Sequence, residues 1–255
     1  MSDGTVLKTV YLCDGSFAGI LSAVHRAYYS REIPDEILCV DGVQREFMTR
    51  YVEVETDCAK ARAVYASIPK KISNNALQTA YQVYLSEEED KATAIYRFLR
   101  LGYRIGRKVE QAYSDPDALR ALKISWYVGG EAHRLCGFLR FQQMEGGVYY
   151  APVSPVNNIL ELLCRYFADR MPSDPWVICD TRRSIAAAYD TRQWVLRKVD
   201  TVRLPDVAQG EKEFAALWRE FYKTIGIEGR KNENLRRQLM PKMYWKNMTE
   251  FQLPK

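Results

Sequence analysis

Residues 6–30, VLKTVYLCDGSFAGILSAVHRAYYS, change periodicity partway through, and that change sets the reading of the fold. The run 6–12 is rich in β-branched and aromatic residues, as a strand is, and Asp14-Gly15-Ser16 makes a turn. Beyond it Phe17, Ile20, Leu21, Val24 and Tyr28 recur at i, i+3 and i+4, which puts them on one packed helical face with Arg26 and Arg31 turned outward. Asp14 or Ser16 can cap this helix by accepting a first-turn N–H. Downstream, EILCVDG (36–42) and RYVEVET (50–56) read as short strands, and Asp57 opens the helix DCAKARAVYASI. Residues 1–73 therefore form an N-terminal α/β segment.

From Asn74 to Tyr113 the text is helical, and the acidic interruption Glu87–Asp90 divides it into two helices. Asp115-Pro116 starts another, because proline suits a helix's first turn, and Gly129-Gly130 predicts an end or kink in it. In GFLRFQQMEGGVYYAPVS (137–154) the pattern alternates on both sides of Glu145-Gly146-Gly147, the signal of a hairpin. NNILELLCRYFADRM (157–171) is an amphipathic helix with an Asn cap. PWVICDTRRSIAAAYD (175–190) and RQWVLRKVD (192–200) supply up to three strands. QGEKEFAALWREFYKTIG (209–226) is a periodic helix whose Phe214, Leu217, Trp218, Phe221 and Tyr222 share one face, read here as core. The fold class is α+β: a mixed β-sheet with several packed helices and a helical, basic C-terminal segment. Residues 74–255 are read as a helical and then α+β domain joined to the first segment in one compact unit.

The chain's 255 residues suffice for a substantial core, and 47% apolar with 27% charged residues is an ordinary globular composition. Its 37 basic residues nearly balance 32 acidic ones, so any polyanion partner must be argued from local clustering rather than from the net +5. Six scattered cysteines and an N-terminus unlike a signal peptide point to a reducing cytoplasm. No apolar run approaches the roughly 20 residues of a membrane span.

Local signatures of phosphate loops, dinucleotide folds, zinc proteases and serine hydrolases are absent, and His25 and His133 are the only histidines. His133 and Cys136 stand i, i+3 but make only half a metal site, so no metal and no cofactor is expected. The stretch Asp180-Thr181-Arg182-Arg183-Ser184 lies where a strand meets a turn. Its arginines and backbone N–H groups can clamp phosphates, or the arginines can pair with carboxylates such as Asp180 and Asp190. Between Arg230 and Lys246 stand six cations, Arg230, Lys231, Arg236, Arg237, Lys242 and Lys246, against one acid, Glu233. Each can neutralise a phosphate, and Tyr244 and Trp245 can stack on an exposed base. The alternative is that Leu235, Leu239, Met243 and Trp245 dock the tail and leave a solvated charged face.

Taken together, YLCDGSFAGILSAVHRAY (11–28), residues 137–190 and LWREFYKTIGIEGRKNENLRRQLMPKMYWKNM (217–248) resemble a bacterial family of DNA metabolism or DNA repair proteins. The marks of the resemblance include Asp14 to Phe17, Phe138, Arg140, Phe141, Arg170, Trp176, Asp180, Arg183, Arg236, Pro241, Tyr244 and Trp245. It implies a partner, a radical-SAM DNA modification or repair protein; a related region occurs ahead of uracil-DNA-glycosylase-superfamily domains. The chain itself lacks the three-cysteine cluster of a radical-SAM enzyme, so the expectation is an accessory that binds DNA or presents it to that enzyme, without autonomous activity. Two rivals stand beside it: an enzyme of unrecognised type built from Asp14, Ser16, Arg140, Asp180 and Arg183, and a purely protein-binding structural subunit.

Overall fold

The computed structural model describes residues 8–40, 45–199, 206–225 and 227–252. The architecture is α+β, and the chain divides into two compact units, Met1–Gly129 and Gly130–Lys255.

In the first unit β1 (Lys8–Cys13) is the centre of a three-stranded, all-parallel sheet. It lies between β2 (Glu36–Cys39) and β3 (Thr49–Glu53), with Val10 opposite both Glu36 and Tyr51. Parallel neighbours require a crossover, and α1 (Phe17–Tyr29) provides it between β1 and β2. Ser16 is the helix cap, accepting the Gly19 N–H. Of the helices that follow, α4 (Lys91–Ile105) packs against β2, α2 (Cys58–Lys71) against α1, and α3 (Asn74–Leu85) against α2 and α4. Asp57 and Ser73 cap α2 and α3 by accepting backbone N–H groups. Thr93 of α4 closes part of the β2 edge: its hydroxyl accepts the Ile37 N–H and donates to the Ile37 carbonyl. Val10, Tyr11, Ile20, Ile37, Ile68 and Phe98 form the core, each large apolar side chain contributing about 1.5–3 kcal/mol on burial.

Helix α5 (Pro116–Phe138) runs without interruption through Gly129-Gly130, against the break expected there. Gly129 serves close packing instead: a Cβ on it would lie 3.1 Å from the Gln82 side chain.

The second unit holds a five-stranded mixed sheet in the order β4-β5-β6-β7-β8: β4 (Gln142–Gln143), β5 (Tyr149–Val153), β6 (Trp176–Asp180), β7 (Ile185–Tyr189) and β8 (Trp194–Lys198). Only β5 and β6 are parallel, and α6 (Leu160–Arg170) makes their crossover. Ala151, Leu160, Leu163, Trp176, Ile178 and Ala187 are its core, and the Trp176 and Tyr189 rings stack 5.1 Å apart. The Asn cap expected for α6 is not formed. Ile159 occupies the cap position, and Asn157 turns to Glu131 instead.

Helix α7 (Glu211–Thr224) forms as its periodicity predicts, but its apolar face is not core. Phe214 is 71% exposed, Leu217 66% and Trp218 40%. The helix meets the C-terminal turn Thr249–Phe251 instead of lying on the sheet, which leaves most of that face uncovered.

Candidate nucleic-acid interface

The C-terminal segment begins with α8 (Glu233–Leu239), capped by Asn232, and continues through 3-10 turns at Lys242–Asn247 and Thr249–Phe251. Between the end of α7 and α8 opens a groove of about 580 Å³, whose lining includes Lys223, Arg230, Lys231 and Arg236, the apolar Leu235 and Leu239, and the single acid Glu233. Arg237, Lys242 and Lys246 are exposed on the same segment. The cations predicted from sequence thus fall on one continuous stretch of the second unit. Their settings differ. Arg236 pairs with Glu233 at 2.6 Å, and its guanidinium lies 5.0 Å from the Trp245 ring centre and 5.4 Å from that of Phe251. Those two rings stack at 4.5 Å and 10°, the Trp245 indole N–H donates to the Met240 carbonyl, and Lys242 lies 6.0 Å from the Trp245 ring. One face of Trp245 is therefore already covered.

Tyr244 is buried, and this corrects the expectation that it stacks on a base. Its ring packs 5.7 Å from Phe138, and its hydroxyl donates to Glu131 at 3.2 Å. Burial, followed by the Glu131 charge, pushes its phenol up to about 12 against a weaker opposing effect of Arg134. Glu131 is itself buried and accepts the backbone N–H of Val156 and of Asn157 and the Asn157 side-chain amide, at 2.7, 2.9 and 2.7 Å. A buried carboxylate is tolerated only where donors satisfy it, and these do. Sequence reasoning missed this residue. Its sole local signal is an acid directly after a glycine pair in a helix.

The turn after β6 is closed onto itself. Asp180 is fully buried; it accepts the backbone N–H groups of Arg182 and Arg183 at 2.9 and 3.2 Å, and the Arg183 side chain at 2.9 Å. Arg183 also donates to the carbonyls of Pro155 and Val156. Of the two readings of this turn, Arg183 follows the pairing with Asp180: the two N–H groups and the Arg183 guanidinium serve Asp180 and the 155–156 backbone. Arg182 is exposed.

Arg140 donates through Nε and Nη2 to Glu250, at 3.2 and 2.6 Å, and through Nη1 to the Gly137 and Leu139 carbonyls. Trp218 adds its indole N–H to Glu250 at 3.2 Å and lies under the Arg140 guanidinium. Burial raises the Glu250 carboxyl, but the Arg140 bonds and charge, with the Trp218 donor, bring it below its ordinary value.

Asp14 and Ser16 belong to the first unit. Asp14 accepts the Ser16 N–H and hydroxyl and the Thr56 hydroxyl, at 2.9, 2.7 and 2.8 Å. Burial opposes ionisation there, but these bonds together hold its carboxyl below the usual range. Gly19 permits the approach, since a Cβ on it would sit 2.0 Å from the Asp14 carboxylate. The five residues weighed as a catalytic set thus appear as Asp14 with Ser16, Asp180 with Arg183, and Arg140 with Glu250, each occupied in its own local bonds.

His133 is exposed and Cys136 half-buried, and none of the six cysteines, all among the described residues, is in a disulfide. Among the described residues no group of three His, Cys, Asp or Glu side chains could hold a metal ion, and no helix is long and apolar enough to cross a membrane.

An α+β chain with a basic helical C-terminal segment is the class that fold and site define. Residues 89–250 match the model of DUF4130, a domain of unknown function, and the chain belongs to that family. No curated protein matches it.

Proposed function

We propose that this protein is an accessory in DNA metabolism that binds nucleic acid through the basic C-terminal segment and presents it to a radical-SAM partner enzyme. One observation supports the nucleic-acid part: four cations, Lys223, Arg230, Lys231 and Arg236, line the groove between α7 and α8 with one acid, and Arg237, Lys242 and Lys246 are exposed on the same C-terminal segment. Cations clustered in and beside a groove suit a phosphate backbone and read no sequence. The partner comes from the family resemblance. The internal occupation of Asp14, Asp180, Arg183 and Arg140 favours an accessory over an enzyme of unrecognised type. A reducing cytoplasm suits six cysteines of which none is in a disulfide.

The protein-binding reading has its own support, the exposed apolar face of α7. The test is fluorescence anisotropy of the full-length protein on single-stranded and duplex DNA over a salt series. Replacing Arg230, Arg237, Lys242 and Lys246 by Gln lowers affinity on every sequence and flattens the salt dependence by about 0.7–0.9 log units for each phosphate no longer neutralised. A variant that binds like the parent at all salt concentrations overturns the reading.

A further inference from the structure

The first unit carries a cationic hollow of its own. On α1 and α4, Tyr28 and Tyr103 stand with ring centres 6.0 Å apart, and Tyr28 is 64% exposed. The Tyr103 hydroxyl is held by Ser67 at 2.6 Å, so its ring is fixed. Two adjoining hollows share these tyrosines and Arg100. One, about 320 Å³, is mainly apolar, walled by Val24, Ala27, Ile33 and Tyr96. The other, about 450 Å³, is polar, adding Arg97, Arg104, Asp115 and Asp117.

Charge accounting leaves a positive surplus. Arg97 is committed to Asp117 at 3.3 Å and to the Asp35 carbonyl at 2.9 Å. Asp115 accepts the N–H groups of Asp117 and Ala118 at the start of α5, each at 3.0 Å. Arg31, which lines the apolar hollow, and Arg100 and Arg104 are exposed, and none of them enters an ion pair among the described residues. Arg100 neighbours the Tyr96 phenol, a neutral partner. Arg31 holds a backbone φ of 55°, a left-handed position just past a helix end where glycine is the usual occupant.

An apolar compartment and a cationic one sharing a tyrosine wall fit a ligand with a flat, weakly polar end and an anionic end. We propose that this face is a nucleotide site, in which a base lies against Tyr28 and Tyr103 and its phosphate is bound by Arg100 and Arg104, with Arg31 adjacent. Both hollows fall in the size range of small-ligand sites. Aromatic stacking tolerates any base, and guanidinium groups bind phosphate by charge-assisted, often bidentate bonds. The same chemistry comes from a free nucleotide or from an unpaired nucleotide of a single strand. The proposal is independent of the nucleic-acid reading of the second unit.

The test uses the full-length chain with four probes: dAMP, adenosine, inorganic phosphate and a labelled oligo-deoxyadenylate. Binding of dAMP identifies the free nucleotide, and binding of the oligonucleotide without dAMP identifies the unpaired strand; either supports the site. In both cases the double variant Arg100→Gln, Arg104→Gln weakens binding about tenfold or more, the equivalent of one charge-assisted bond. Tyr28→Leu weakens it as well, whereas Tyr28→Phe keeps the ring and retains it. Adenosine, which lacks the phosphate, binds more weakly than dAMP. The oligonucleotide arm is repeated with the four tail cations replaced, which isolates this site from the C-terminal groove and leaves dAMP binding unchanged. Circular dichroism confirms the fold of each variant. The proposal is overturned if neither dAMP nor the oligonucleotide binds, if the arginine variant binds like the parent, or if inorganic phosphate binds as tightly as dAMP.

Discussion

Arg140 and Glu250, 110 residues apart in sequence, are joined by two hydrogen bonds, from Nε at 3.2 Å and Nη2 at 2.6 Å, in a setting where only 1% of the Glu250 side chain is exposed. This pair fastens the C-terminal turn to the residues just after α5, and its worth depends on pH. Burial raises the Glu250 carboxyl, the Arg140 and Trp218 contacts outweigh it, and the net folded-state pKa is lowered. A depressed carboxyl contributes stability that is present above its unfolded pKa, near 4.3, and lost as pH falls through the folded value. Thermal melts from pH 7 to pH 3 are expected to show a fall in stability below about pH 4.5 that Glu250→Gln flattens. An unchanged acid limb in the variant would sink the assignment.

Tyr244 titrates on the opposite side of neutrality. Its phenol is pushed up to about 12, first by burial and then by the Glu131 charge, so the folded state keeps its proton where the unfolded chain loses it. That contribution is complete below about pH 10 and is lost as pH rises towards 12. Tyr244→Phe removes one bond to a buried carboxylate and is expected to cost about 1.5 kcal/mol. Glu131→Ala leaves the Val156 and Asn157 donors without their acceptor and is expected to cost about 3 kcal/mol or more. Denaturant midpoints measure both. Tyr244→Phe with lower DNA affinity but unchanged stability would return the residue to the binding surface.

The face of α7 separates residues that resemble one another in sequence. Phe214→Ala is expected to change stability by no more than about 0.5 kcal/mol, because the side chain is largely in solvent. Trp218→Ala removes a cation–π interaction and a hydrogen bond to Glu250, and is expected to cost about 1–2 kcal/mol. If this face docks the radical-SAM protein, replacing Phe214, Leu217 and Phe221 by Ser abolishes co-purification with it while the melting curve stays put. A triple variant that unfolds would show the face to be core after all.

The elements were legible because their signals are local. Phe17 to Tyr28 repeat at helical spacing, Gly146-Gly147 sit in the hairpin, and Asp57 and Ser16 cap helices where they stand. What was not legible depends on distant partners. Tyr244 reads as a stacking residue beside Lys242 and Lys246 until Glu131, 113 positions away, claims its hydroxyl. Arg183 reads equally as a phosphate clamp or as a partner of Asp180, and only the 155–156 carbonyls, which claim the rest of its guanidinium, separate the two. Residues 74–105 have a purely helical text, yet they pack with the N-terminal strands, Thr93 bonding the edge at Ile37. The periodicity of α7 correctly specifies an apolar stripe but cannot say whether the same chain covers it.

Adjacent arginines provide the sharpest test of the C-terminal segment. Arg236 is committed: it pairs with Glu233 and lies over the stacked Trp245 and Phe251 rings. Arg237, one residue on, is exposed and has no ion pair among the described residues. If the segment binds phosphates, the two fail differently. Arg236→Gln removes the cation–π interaction and an ion pair, and is expected to lower stability by about 1 kcal/mol while affecting binding chiefly through the disordering of the turn. Arg237→Gln is expected to leave stability within about 0.5 kcal/mol and to reduce the salt slope of DNA binding by about 0.7–0.9, the equivalent of one phosphate. Arg236→Lys discriminates further, because an ammonium keeps the charge but not the planar stack on Trp245. Urea denaturation and anisotropy over a salt series measure the two quantities on the same samples. If Arg237→Gln leaves the slope unchanged while Arg236→Gln alone lowers it, the segment binds through the aromatic cluster rather than along its outer cations.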